Sequence, residues 1–166
     1  MEQNTNISIV QLVKAGELDV HLEISKVWAK QDINISVKNY LKKSPDYQTL
    51  AEQVRGAEED LRNAPENEKL FFGERLENIL KVEQDFIVST LLLAETFSKL
   101  EIRTERLAQA LRLFEEGLIK EADKILNEAD LLNDQFNLIA YAGYLESLQK
   151  YLIDAVAKNY NDYPRA

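Results

Sequence analysis

At 166 residues, 45% of them hydrophobic and 30% charged, the chain is long enough to bury one core and too apolar for a disordered segment. Cysteine is absent, which excludes disulfides, thiolate nucleophiles and cysteine-bound metals and fits a cytoplasmic setting. The formal charge is −9, with no basic cluster beyond Lys42-Lys43, which argues against nucleic acid and disfavours an anionic membrane surface.

The N-terminus, MEQNTNISIV, is polar and has no early Lys or Arg, so no signal peptide is expected there. Residues 1–44 form a first segment that reads in two ways. Val20, Leu22 and Ile24 alternate with Asp19, His21, Glu23 and Ser25, and Ile33, Ile35 and Val37 alternate with Asn34, Ser36 and Lys38. Such alternation of β-branched residues signals strands, here a small β-hairpin. The competing reading makes residues 7–15 a short helix ended by Gly16, with residues 27–31 part of another.

A helical domain is expected over residues 45–166. Ser44-Pro45-Asp46 is a helix entry, with Ser44 as N-cap, proline at the first helical position and an acid against the dipole. Leu50, Val54, Ala57 and Leu61 then recur along one helical face until Pro65. Beyond it, Phe72, Leu76, Ile79, Phe86, Ile87, Leu91, Ala94, Phe97, Leu100, Leu107, Leu111 and Phe114 recur at steps of three and four. This is either one long helix or two helices broken near Arg103-Thr104, where Thr104 would cap. The apolar residues 86–94 (FIVSTLLLA) are too few to span a bilayer, which takes about 20 residues as a helix. A helix over residues 118–132 and a last one over residues 135–159 complete the pattern. The fold class is therefore mainly α, an extended bundle of long antiparallel helices.

Residues 104–134, TERLAQALRLFEEGLIKEADKILNEADLLND, resemble one tetratricopeptide repeat. Gly117 stands at the turn, Ala110 at the small position of the first helix, Leu113 and Phe114 at large packing positions, and Ala122 and Ala129 at small positions of the second. The resemblance implies a helical hairpin held by Leu113, Phe114, Gly117, Ala122, Leu126 and Ala129, and an interaction role. The stretch departs from the family at Arg106, where an aromatic is common, and at Asp134, where proline often ends the repeat. No second copy lies 34 residues away: stepping back from Gly117 reaches Glu83, and stepping forward from Ala122 reaches Val156. Repeat arrays take about three units to bury a continuous core, so this unit is either the edge of a larger array or a hairpin packed on its own helices. The layout also resembles bacterial proteins with a helical region ahead of a repeat domain.

Catalytic and metal chemistry find little support. His21 is the sole imidazole and cannot by itself assemble a zinc set or a di-iron bundle. The five glycines (16, 56, 73, 117 and 143) are isolated, so no phosphate loop exists, and no nucleophile elbow is present. Neither an enzyme nor a cofactor is expected. Two features read as contact surfaces. One is the acidic hairpin, which includes Glu115, Glu116, Glu121 and Asp123; residues 115–134 hold seven acids and two lysines. The other is the tyrosine series 141, 144, 151, 160 and 163, in which the first three follow helical spacing and suit burial, leaving Tyr160 and Tyr163 for an interface. The expected function is a non-enzymatic adaptor or scaffold whose partner is another protein or itself. The alternatives are a membrane-active helical bundle that releases residues 86–94, or a self-assembly module of a larger repeat protein that pairs its N-terminal strands between chains.

Overall fold

A computed structural model describes residues 8–102, 104–128 and 142–151. The order is α1 (Ile9–Lys14), α2 (Val20–Trp28), α3 (Ile35–Lys43), α4 (Pro45–Arg62), a single 3-10 turn (Glu66–Glu68), α5 (Lys69–Lys99), α6 (Glu105–Glu115) and α7 (Ile119–Glu128). Residues 142–151 are also helical. The protein is mainly α.

The alternating segments expected as a β-hairpin are helices α2 and α3, and among the described residues there is no strand. The reason lies in the caps. The Asp19 carboxylate accepts from Leu22 N–H at 3.1 Å, and the Asn34 side chain accepts from Ser36 N–H at 2.7 Å, so each run starts as a helix. Burial then follows helical spacing: Val20, Glu23, Ile24 and Val27 point inward, while Leu22 stays 51% exposed and Ile35 62% exposed. With these segments helical, no strand edge is available for the pairing between chains anticipated above. The competing reading of residues 7–15 agrees with α1, which Gly16 follows with φ +75°. The long apolar pattern resolves into two helices, because α5 ends at Lys99 and Thr104 caps α6 by accepting from Leu107 N–H at 3.1 Å.

The second half of α5 is the axis of the core. Val88, Thr90, Leu91, Leu92, Leu93, Ala94, Thr96 and Phe97 are all buried, so the helix is covered on every side there. Around it pack Ile9 and Val10 of α1, Ile24 and Val27 of α2, Val37, Tyr40 and Leu41 of α3, and Leu107, Ala110 and Phe114 of α6. Each fully buried Leu or Phe of this set contributes about 2 kcal/mol of transfer free energy. Thr90 and Thr96 tolerate burial because their hydroxyls donate to the carbonyls of Phe86 and Leu92 one turn earlier.

The first half of α5 differs, since no residue between Lys69 and Ile87 is buried. It packs along α4, where Ala57 alone is fully buried. Tyr47 near the start of α4 meets Glu83 (O–H to carboxylate, 2.5 Å) and the Phe86 ring, whereas Asp60 near its end meets Arg75 at 3.8 Å. The two helices thus fold back on each other as an arm whose tip is the 3-10 turn.

Candidate interaction surfaces

The turn between α6 and α7 is docked on the junction between α3 and α4. Gly117 has φ +85°, and a Cβ added there would lie 2.5 Å from Ser44 Cα and 2.8 Å from Ser44 Cβ. Left-handed backbone and close approach both demand glycine. Ser44 caps α4 by accepting from Tyr47 N–H at 3.2 Å, and its hydroxyl donates to the Gly117 carbonyl at 2.6 Å. Asp46 accepts from Lys120 N–H at 3.0 Å, so the first turn of α4 caps α7 in trans. The Tyr40 hydroxyl donates to the Phe114 carbonyl, and its ring lies 5.3 Å from that of Phe114. Burial, with Asp46 and Glu115 nearby, raises the Tyr40 phenol well above its ordinary range and keeps it neutral.

Five of the six hairpin residues can therefore be placed. Phe114, Gly117, Ala122 and Leu126 are buried, and Leu113 packs on the core half-buried. Ala129 lies outside the described residues. The buried side chains of the hairpin belong to the protein's own core. Glu115, Glu116 and Glu121 are exposed and Asp123 is half-buried. The Glu115 carboxylate accepts from the Ser8 hydroxyl at 2.8 Å, which ties this acidic patch to the start of α1. Tyr144 is buried, with Leu148 and Tyr151 packed against the core, while Tyr141, Tyr160 and Tyr163 lie outside the described residues.

His21, largely exposed, joins three helices. Its Nδ1 lies 2.9 Å from the Tyr151 hydroxyl and its Nε2 lies 3.3 Å from the Glu95 carboxylate. Among the described residues no group of three or more side chains is placed to hold a metal ion. Glu23, which alternation assigned to a solvent face, is 3% exposed and accepts from Asn34 N–H at 2.7 Å and Lys26 Nζ at 3.1 Å. Its i+3 spacing from Val20 and i+4 spacing to Val27 was the signal for burial.

Exposed apolar side chains also lie on the arm of α4 and α5. Leu70 is 76% exposed, Phe71 63% and Val82 52%, all on the half of α5 that packs along α4. Phe71 and Phe72 meet edge to face with centroids 5.1 Å apart, a contact that steadies the exposed ring. Phe71, Arg75, Asn78 and Val82 follow i, i+4, i+7 and i+11 spacing, so they form one stripe about 16 Å long. The Arg75–Asp60 pair places this stripe beside α4, and Gly56, one turn before Asp60, lies on the same side. A Cβ added to Gly56 would meet nothing within 4 Å.

Among the described residues no helix is long and apolar enough to cross a membrane. No family model matches the chain, and no curated protein or solved structure shows significant similarity to it.

Proposed function

We propose that this protein is a non-enzymatic helical adaptor or scaffold that docks another protein through the arm formed by α4 and α5. On this reading the long helices form an extended antiparallel bundle. The hairpin of α6 and α7, which resembles a tetratricopeptide unit, serves as an internal brace that sets the base of the arm. One observation carries the reading: Leu70, Phe71 and Val82 are more than half exposed on the stretch of α5 from residue 69 to residue 87, in which no residue is buried. Clustered large apolar side chains of this kind mark contact sites more often than scattered single ones do.

The membrane-active alternative gains less support. Its releasable stretch contains Val88 and Leu91–Leu93 with their neighbours at the centre of the core, so release would dismantle the packing of every surrounding helix.

A photo-crosslinking amino acid in place of Phe71, compared with one in place of exposed Leu22, tests the adaptor reading in cells of the native source. A discrete crosslink to a protein other than the chain itself, formed from position 71 and absent from position 22, is the expected result. Crosslinks that are equal at the two positions, or absent from both, would overturn it.

A further inference from the structure

We draw no further inference here: the strongest candidate, the exposed apolar patch of Leu70, Phe71 and Val82 on the first half of α5, belongs to the surface already described, and nothing in the structure shows what covers it.

Discussion

Gly117→Ala is the sharpest test of how this fold is held. The new methyl group must adopt φ near +85°, and it would sit 2.5 Å from the backbone of Ser44. A left-handed residue other than glycine costs about 1–2 kcal/mol. Relief of the overlap requires the α6–α7 turn to move off the α3–α4 junction by about 1 Å, because interiors are close-packed and transmit such strain. That shift stretches the Ser44–Gly117 hydrogen bond (2.6 Å) and the Asp46–Lys120 cap (3.0 Å), each worth about 1 kcal/mol net. The sum is about 3–4 kcal/mol, a large share of the roughly 5–15 kcal/mol typical of a domain. Gly16→Ala is the matched control, since Gly16 has φ +75° and nothing within 4 Å of an added Cβ, so it should cost about 1–2 kcal/mol from backbone alone. Urea denaturation followed by dichroism measures both; with a slope of about 2 kcal/mol/M, the midpoint should drop by about 1.5–2 M for Gly117→Ala and by less than about 1 M for Gly16→Ala. Equal losses for the two variants would show that the close approach to Ser44 does not matter, and the docking argument would fall.

Glu23→Ala should destabilise the protein by about 2–3 kcal/mol in the same assay, since it strips a buried acceptor from Asn34 N–H and Lys26 Nζ; a loss below about 0.5 kcal/mol would refute that role. Gly56→Ala should raise stability by about 0.5–1 kcal/mol, because helical backbone and open space leave the entropy term unopposed; a stability loss would reveal an unseen clash. Burial raises the Asp85 carboxyl above its ordinary value, with Lys81 opposing in part. The folded state thus binds its proton more tightly than the unfolded chain does, so the associated stability is present below the unfolded value of 3.8 and fades as pH rises through the raised folded value. Asp85→Asn should accordingly raise the melting temperature at pH 7 and leave it nearly unchanged at pH 3, and an equal shift at both pH values would contradict this.

Local signals in the chain were reliable where one residue does one job. Ser44 caps α4 ahead of Pro45, Thr104 caps α6, and Gly16 and Gly117 both take positive φ after their helices. Those features depend on side-chain oxygens and backbone freedom within a few residues, which is information the chain carries locally. The alternation in residues 19–25 and 33–38 misled, because short runs satisfy period 2 and period 3.6 together until burial chooses between them. There the Asp19 and Asn34 caps, and a core that wanted Val20, Ile24 and Val27 on one face, decided for helix.

By itself, then, the sequence determined a mainly helical, acidic chain, the helix starts and stops from Ser44 onward, and the apolar spacing that Phe97, Phe114, Ala122 and Leu126 bring to the core. Tertiary structure alone decided which apolar residues stay outside. Leu91 and Phe71 belong to one helix, yet the first is fully buried in the cluster that holds residues of α1, α2, α3 and α6 and the second is largely exposed. Only the packed chain shows that the hairpin's apolar side is used internally, or that Ser44 lies against Gly117. Exposure and close approach are relations between segments distant in sequence, and they are set by how far each neighbouring helix reaches along α5.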